Sequence, residues 1–339
     1  MRIGILLFVL LLSGALSGQD VRQIGSNQGL EHPSVYAVAA DEIGFIWLGT
    51  RDGLYRFNDG VASKVDFLDS TEVRRTTNVQ SLCVASDSTL WIGLQQGGIV
   101  AFDLKVLQPL ADNEVPQLPA MSSVVSLFQD SESTLWAGTV GDGVYRLATG
   151  SSQWERIAFA TAPEDVAFAF DFAQQGDTLW LATSGSRLLY WDMRTKTVRA
   201  AVQDERYTSY RKMVDVSDAK VVWAVEEQGV FVHTAMGEQM LPIPEQLIGQ
   251  PALFNPRDVA IVGDEIWLST DGAGLWRWNG ENWSQYTKTD PQQGLVTDQF
   301  YNITRIHGKL WVGSFNGGVA LVPLETSIVK PIRKPSRFI

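Results

Sequence analysis

Residues 44–57 of the chain read GFIWLGTRDGLYRF, and the tetrapeptide WLGT inside this stretch decides the fold. A tryptophan in the same setting recurs six more times, at spacings of 43 to 45 residues. The tetrapeptides that begin at these tryptophans read WLGT, WIGL, WAGT, WLAT, WAVE, WLST and WVGS. The seven tryptophans are Trp47, Trp91, Trp136, Trp180, Trp223, Trp267 and Trp311. A nearly constant period of this length predicts a protein built from seven copies of one supersecondary unit.

The glycines of this stretch also allow comparison with a phosphate-binding loop, because Gly44 and Gly49 are five residues apart and Thr50 follows. A complete loop of that kind carries a lysine before its serine or threonine. The fifth copy of the repeat, WAVE at residues 223–226, keeps the frame without glycine or threonine. We therefore interpret the glycines as repeated architecture and not as a nucleotide site.

Each repeat unit contains four short runs that favour β-strands, separated by turn residues. In the first unit these runs lie at residues 35–40, 45–50, 54–57 and 61–67. Branched and aromatic residues favour the strands, whereas Gly, Asn and Asp favour the turns between them. Four antiparallel strands in a unit of about 44 residues indicate one blade of a β-propeller.

The outer strands indicate how the ring of blades closes. Candidates for a fourth strand follow the first six units, at residues 61–67, 107–110, 154–159, 197–202, 238–243 and 283–288. The seventh unit has none, whereas residues 21–24 form a β-rich run without a partner. We predict an all-β fold, a seven-bladed β-propeller of four-stranded antiparallel blades over residues 20–325, closed by this N-terminal outer strand. Residues 326–339 then form an exit segment.

The tryptophans are expected to pack inside the blades. The residue two positions after most of them is Gly or Ala, and we expect this small residue to leave room for an indole. Blade six contains three further tryptophans, for which core packing competes with a sugar-stacking platform, and we favour core packing. They are Trp276, Trp278 and Trp283.

The first 18 residues have the parts of a secretory signal peptide. Arg2 supplies a positive charge, residues 3–12 are almost entirely apolar, and residues 13–18 are mostly small. We assign residues 1–18 to a signal peptide, because such an apolar run is too short for a comfortable membrane span. No later run reaches 18 apolar residues, so we predict an exported chain with no membrane span.

The charge of the chain restricts its partners. It has 27 Lys and Arg against 38 Asp and Glu, a net charge of −11. So acidic a chain repels nucleic acids and anionic lipids, and we predict no nucleic-acid partner. Neutral or cationic partners are favoured.

The N-terminal repeats resemble a known family. Residues 29–60, GLEHPSVYAVAADEIGFIWLGTRDGLYRFNDG, and residues 124–147, VVSLFQDSESTLWAGTVGDGVYRL, resemble the two-component regulator propeller repeat. Units four and five diverge from it, but the resemblance extends over essentially the whole mature chain. It implies the periplasmic or secreted sensor part of a bacterial regulator, often a hybrid kinase that detects carbohydrate.

The chain departs from the full plan of that family. Its usual companions are a second propeller, an immunoglobulin-like domain, a membrane helix and a histidine kinase, and none of them is visible here. Two interpretations stay open: an N-terminal piece of a longer sensor, or a free-standing exported propeller. A downstream sensor domain or partner protein is therefore an expected partner.

Residues with obvious chemistry are few. The single cysteine, Cys83, lies in an apolar run, and the histidines His32, His233 and His307 are scattered, so we predict no metal site and no cofactor. No nucleophile motif occurs, and we predict a chain that is not an enzyme. The carboxylate pairs Asp41/Glu42, Glu226/Glu227 and Asp264/Glu265 fall in turns, where we expect them to be solvated.

Basic residues concentrate in the loops that a propeller places around one mouth of its channel. We predict a ligand-binding face there, and an anionic ligand such as an acidic oligosaccharide, held by guanidinium groups and stacking. Ordinary solvated loop charge is the competing interpretation. The candidate residues are Arg51, Arg74, Arg75, Arg187, Arg211, Lys212, Arg257, Tyr301 and Asn302.

The sequence therefore predicts an exported, non-enzymatic propeller that recognises an extracellular ligand, such as an oligosaccharide, within or beside a two-component regulatory system. A protein-interaction scaffold without a small ligand is one alternative. A propeller-type glycosidase or lyase is the other. Fold alone does not choose among them, because the same ring carries many functions.

Overall fold

A computed structural model describes residues 21–67, 77–111, 113–118, 122–159, 167–184, 187–203, 212–244, 247 and 254–324. At residues 187, 201–203 and 212 it describes the backbone alone. The predicted signal peptide, residues 1–18, and the predicted exit segment, residues 326–339, lie outside the described residues.

The strands of the first four blades follow one another along the chain. Strand β1 spans Arg22–Ile24. Blade 1 contains β2 (Val35–Ala40), β3 (Ile46–Thr50), β4 (Gly53–Asn58) and β5 (Val61–Val65). Blade 2 contains β6 (Val79–Val84), β7 (Thr89–Leu94), β8 (Ile99–Asp103) and β9 (Gln108–Pro109). Blade 3 contains β10 (Ser123–Gln129), β11 (Leu135–Val140), β12 (Val144–Leu147) and β13 (Glu155–Arg156). Blade 4 contains β14 (Ala169–Gln175), β15 (Thr178–Thr183), β16 (Arg187–Asp192) and β17 (Thr197–Gln203).

The remaining blades complete the ring. Blade 5 contains β18 (Lys212–Val216), β19 (Lys220–Val225), β20 (Gly229–Thr234) and β21 (Gly237–Met240). Blade 6 contains β22 (Pro256–Val262), β23 (Glu265–Thr270), β24 (Leu275–Trp278) and β25 (Trp283–Tyr286). Blade 7 contains β26 (Phe300–Ile306), β27 (Lys309–Ser314) and β28 (Val319–Pro323). Short 3-10 helices span Ser26–Gln28 and Pro291–Gln293.

The ring closes as predicted. Each blade is a four-stranded antiparallel sheet, and the fourth strand of blade 7 is β1. Arg22 pairs with Leu321 and Ile24 pairs with Val319, so the first strand of the chain completes the last blade. The seven-bladed all-β architecture is therefore confirmed. The outer strands of blades 2 and 3 are shorter than the predicted runs.

The first strand of each blade contacts the first strands of both neighbouring blades, so seven inner strands enclose a central channel. In every blade but the fifth, the pairing of this strand with the next one shifts by one residue near the start of the inner strand, which marks a β-bulge. The bulged residues are Tyr36, Gln80, Val125, Phe170, Arg257 and Tyr301.

One face of the ring carries the loops that join blades and the hairpins between second and third strands. Gln95 donates its backbone N–H to the Asn78 carbonyl at 3.0 Å, and Phe315 donates to Gln299 in the same way. These bonds fasten the end of a second strand to the start of the inner strand. We call this side the loop face; it is the face on which the sequence analysis placed the candidate ligand-binding residues.

The small residue after the tryptophan has a different role from the one expected. A Cβ atom on Gly138 would lie 2.5 Å from the carbonyl oxygen of Ala169. A Cβ atom on Gly49 would lie 2.6 Å from Cγ1 of Val79. Both contacts involve the first residue of the next inner strand. The expectation that these positions make room for an indole was wrong, because they allow neighbouring blades to approach each other.

Acidic turn residues are also less solvated than expected. Asp41 is 8% exposed, and its Oδ1 accepts backbone N–H groups from residues 43–45. Its Oδ2 accepts the indole N–H of Trp47 at 2.9 Å. Asp130 makes the same bond to Trp136 at 2.8 Å. In these two blades the turn carboxylate stabilises the repeat tryptophan, and the prediction of a solvated Asp41 was wrong.

The residue that ends the WLGT motif stabilises the next turn. The Thr50 hydroxyl donates to the Gly53 carbonyl at 2.8 Å, and the Thr270 hydroxyl donates to the Gly274 carbonyl at 2.7 Å. Thr50 and Thr270 are fully buried. A buried hydroxyl needs such a partner, which explains why Thr and not Val occupies these positions.

Candidate functional site

The bulged residues open into a cavity at the loop-face end of the central channel. The cavity has a volume of about 460 Å³, within the range of small-molecule sites. A β-bulge re-aims a side chain, and here it places variable residues on the channel wall of successive blades. We call this space the channel cavity. Its polar and aromatic lining includes Tyr36, Gln80, Gln95, Ser126, Phe170, Asp171, Arg257, Asp258, Tyr301, Asn302 and Thr304.

Aromatic rings occupy one side of the channel cavity. Tyr36 and Tyr301, from adjacent blades 1 and 7, contact each other with ring centroids 4.9 Å apart. Phe315 packs edge-on against Tyr301 at 6.3 Å. Both tyrosines are partly exposed. Such a pair offers apolar ring area together with hydroxyl groups, the combination that suits a sugar ring.

The tyrosine pair lies beside two cations. The Arg257 guanidinium lies 5.7 Å from the ring centroid of Tyr301. Burial raises the pKa of Tyr36, and the nearby charge of Arg51 and a hydrogen bond with Asn78 oppose that rise. Tyr36 therefore remains a neutral hydroxyl at physiological pH, able both to donate and to accept.

Two carboxyl groups also line the channel cavity. Asp171 in blade 4 and Asp258 in blade 6 each come directly after the bulged residue of their inner strand. They therefore occupy equivalent positions in the two blades. Asp171 accepts the N–H of Val214 in the next blade at 3.0 Å. Asp258 likewise accepts the N–H of Ile303 in blade 7 at 2.7 Å. Each carboxyl therefore joins its own inner strand to the next one.

These carboxyl groups hold protons more tightly than ordinary aspartates. Removal from bulk water raises the pKa of Asp171 to about 7. Burial first, and then the charge of Asp171, raise the pKa of Asp258. Burial also raises the pKa of Asp215, with Arg305 opposing it. Burial therefore makes these three carboxyl groups harder to ionise than exposed aspartates.

Arg257 is already paired. Its guanidinium contacts the carboxylate of Asp271, and both side chains are about one-fifth exposed. Asp271 also accepts a hydrogen bond from the Gln299 amide at 3.2 Å. The positive charge of Arg257 is largely balanced inside the protein, so the channel cavity is polar without being strongly cationic.

The predicted site residues divide into three groups. Arg257, Tyr301 and Asn302 meet in the channel cavity. Arg51 is exposed in the turn after β3. Arg187 and Lys212 begin β16 and β18, where only the backbone is described, and Arg74, Arg75 and Arg211 lie outside the described residues.

Sequence reasoning missed several wall residues, chief among them Tyr36, Gln80, Asp171 and Asp258. A signal for the bulged residues was present, because they stand 10 or 11 residues before the repeat tryptophan and differ in type from blade to blade. The tryptophan cluster of blade six fits the core-packing prediction, since Trp276 is 1% and Trp278 is 8% exposed.

Within the described ranges, no group of three or more His, Cys, Asp or Glu side chains is placed to hold a metal ion. Burial raises the pKa of the Cys83 thiol to about 12, which disfavours the reactive thiolate. No helix in the described part of the chain has the length and hydropathy needed to cross a membrane.

Comparison with known proteins rests on structure. No protein-family model matches the chain, and no curated protein matches it. The extracellular domain of the putative hybrid two component system BT3049 from B. thetaiotaomicron superposes with a TM-score of 0.72 and 15% identity, over 89% of this chain and 41% of that one. The extracellular domain of the putative one component system BT4673 from the same organism gives 0.66 and 17%, over 89% and 42%.

A lyase shares the same fold. Virginiamycin B lyase from Staphylococcus aureus superposes with a TM-score of 0.68 and 12% identity, over 90% of this chain and 99% of that one. At these identities the likenesses establish the propeller fold alone. The chain spans about two-fifths of the length of the two B. thetaiotaomicron chains that it matches.

Proposed function

We propose that this chain is the exported sensor propeller of a bacterial two-component type system, and that it binds a small extracellular oligosaccharide in the channel cavity. The observation that carries the proposal is the contact of Tyr36 with Tyr301 beside the polar side chains of Asn302 and Gln80. The repeat resemblance and the extracellular domains that share the fold support the sensor role.

The wall chemistry favours a neutral ligand over an acidic one. Arg257 is paired with Asp271, and burial raises the pKa values of Asp171 and Asp258. Hydroxyl groups of a sugar can both donate to and accept from such groups, whereas a carboxylate or sulfate would meet only the paired Arg257 in the described lining, because Arg51 lies outside it. We therefore propose a neutral oligosaccharide as the ligand. The acidic oligosaccharide predicted from the loop arginines is the competing ligand in the experiment.

Binding without turnover is part of the proposal. Asp171 and Asp258 each accept two backbone N–H groups, which fixes them as parts of the wall. The described lining of the cavity contains neither histidine nor cysteine. The proposed signal is a change in how the loop face associates with a further sensor domain or partner protein once the cavity is filled.

The test is calorimetric titration of the purified exported protein with matched neutral and acidic oligosaccharides. Tyr301→Ala should weaken binding of a neutral oligosaccharide at least tenfold, because stacked ring area is lost. Tyr190→Phe, a partly buried tyrosine outside the cavity, is the matched control. If the Tyr301 variant binds with the same affinity as the wild type, the channel site is contradicted. If acidic oligosaccharides bind more tightly than neutral ones, the predicted anionic ligand of the basic loop residues is favoured instead.

The same samples separate the alternatives. Mass spectrometry of the ligand after incubation should show it unchanged, and a cleaved ligand would favour a glycosidase or lyase. Failure to bind any oligosaccharide, together with capture of a defined protein partner, would favour the scaffold.

A further inference from the structure

One of the seven repeat tryptophans departs from the others. Trp91 in blade 2 is only partly buried, although it packs against a cluster of buried hydrophobic side chains. The other six are at most 8% exposed, namely Trp47, Trp136, Trp180, Trp223, Trp267 and Trp311. The indole of Trp91 can therefore be reached from outside the blade, at a position that the repeat otherwise buries.

Trp91 also lacks the carboxylate partner that Trp47 and Trp136 have. Six residues before Trp91 stands Ala85, where blades 1 and 3 have Asp41 and Asp130. The backbone turn is unchanged: Ala85 donates to the Thr89 carbonyl at 2.8 Å, and Asp41 donates to Phe45 at 3.0 Å. Only the side chain is lost. The indole N–H of Trp91 consequently makes no hydrogen bond to any described residue.

A second cavity opens at this point, between blades 2 and 3. Its volume is about 470 Å³, and it lies at the hairpins opposite the loop face. We call it the side cavity. Trp91 lines it, and Trp154 packs edge-on against Trp91 with ring centroids 6.4 Å apart. Trp154 is itself anchored, because its N–H donates to the Pro116 carbonyl at 2.8 Å.

The charged side chains that line the side cavity are all acidic. Asp87 and Glu114 line it, and its described lining contains no Lys, Arg or His. Each carboxylate uses one oxygen for a backbone N–H: Asp87 Oδ1 accepts from Thr89 at 2.9 Å, and Glu114 Oε2 accepts from Ala111 at 3.2 Å. The second oxygen of each group has no partner among the described residues.

We propose that the side cavity is a second ligand site, separate from the channel cavity, for a small organic cation that bears an alkylated ammonium group. Cations are attracted to the face of an indole and to carboxylates, and Trp91, Asp87 and Glu114 supply both. Leu135 and Leu147 give the apolar part of such a ligand a surface to contact. The net charge of −11 favours the approach of cations over anions.

The test compares two probes of the same shape, choline and its uncharged analogue 3,3-dimethyl-1-butanol, by calorimetric titration of the intact protein. Choline should bind and the neutral analogue should bind at least tenfold more weakly. Glu114→Gln removes one charge and keeps an oxygen for the Ala111 N–H, and it should weaken choline binding at least fivefold. Glu281→Gln makes the same change at an exposed glutamate of blade 6 and should have no effect.

Fluorine NMR of protein labelled with 5-fluorotryptophan locates the site. The Trp91 resonance, assigned through Trp91→Phe, should shift with choline among the signals of the 12 tryptophans. Tyr301→Ala should leave this shift intact, so the proposal can fail or succeed independently of the channel site. Equal binding of the neutral analogue, no effect of Glu114→Gln, or an unmoved Trp91 signal would each overturn it.

Discussion

Asp41 accepts the indole N–H of Trp47 at 2.9 Å across a turn of six residues. The same carboxylate satisfies three backbone N–H groups of that turn. One side chain therefore fixes both the hairpin and the tryptophan that fills the blade. Asp130 and Trp136 repeat the relationship in blade 3.

Asp41→Ala should destabilise the protein by about 2 to 3 kcal/mol, because a buried indole N–H and several backbone N–H groups lose a charged acceptor. Urea unfolding followed by tryptophan fluorescence measures the change. Glu42→Ala, at an exposed residue of the same turn, is the control and should change stability little. Equal midpoints for the two variants would show that the Asp41 contacts are energetically neutral.

Ala85→Asp should have the opposite effect. The turn of blade 2 already has the backbone bonds of the turn in blade 1, so an aspartate there can accept the free N–H of Trp91. We expect a gain of about 1 kcal/mol, the usual net contribution of one such bond. The midpoint of urea unfolding should rise, and the Trp91 signal should move toward those of the buried tryptophans. A loss of stability would mean that the site lacks room for the carboxylate.

Gly313→Ala should weaken the junction between blade 7 and blade 1. Its Cβ would lie 2.7 Å from the Val35 carbonyl oxygen and 2.2 Å from Oδ1 of Asn302. Overpacking of this kind costs about 1 to 3 kcal/mol. Gly25→Ala is the matched control, since nothing lies within 4 Å of its added Cβ. Thermal unfolding should separate the two variants; identical melting temperatures would contradict the close approach of these blades.

Asp171 should make stability fall as the pH rises. Its pKa in the folded protein is about 7 against an ordinary value of 3.8, so between these values the folded state binds the proton more tightly than the unfolded state. That contribution is complete below about pH 4 and is lost as the pH rises through about 7. The difference in unfolding free energy between wild type and Asp171→Asn, measured from pH 5 to 8, isolates it.

In that comparison the wild type should lose stability with rising pH relative to the variant. The Asn amide faces a backbone N–H in the variant, and any resulting cost in stability does not depend on pH. It therefore does not affect the slope of the unfolding free energy against pH. Asp59→Asn should follow the wild-type slope. Parallel curves for wild type and Asp171→Asn would show that this carboxyl titrates normally.

The fold could be predicted from sequence because its signal is local and repeated. The tryptophan period gave the number of blades, and the unpartnered run at residues 21–24 indicated the closing strand. The role of Gly49 could not be read this way. Its neighbour Val79 lies 30 residues away on another blade, and the distance between them depends on how blades pack.

The site could be predicted only in part for the same reason. The sequence grouped Arg257, Tyr301 and Asn302 as neighbours on one face, but it assigned them to loops, whereas they lie in the inner strands β22 and β26. The pairing of Arg257 with Asp271, which changes the expected ligand, depends on the geometry of a hairpin. The raised pKa of Asp171 depends on its depth in a channel formed by all seven blades, a property that no single repeat contains.

The pairing of Arg22–Ile24 with β28 also sets an order of events during synthesis. Strand β1 must wait for β28, because nearly 300 residues separate them. Until then β28 presents an open edge that can pair with another chain. The ring can therefore close only after β28 has been made, and a chain shortened before Val319 would leave the N-terminal strand without its partner.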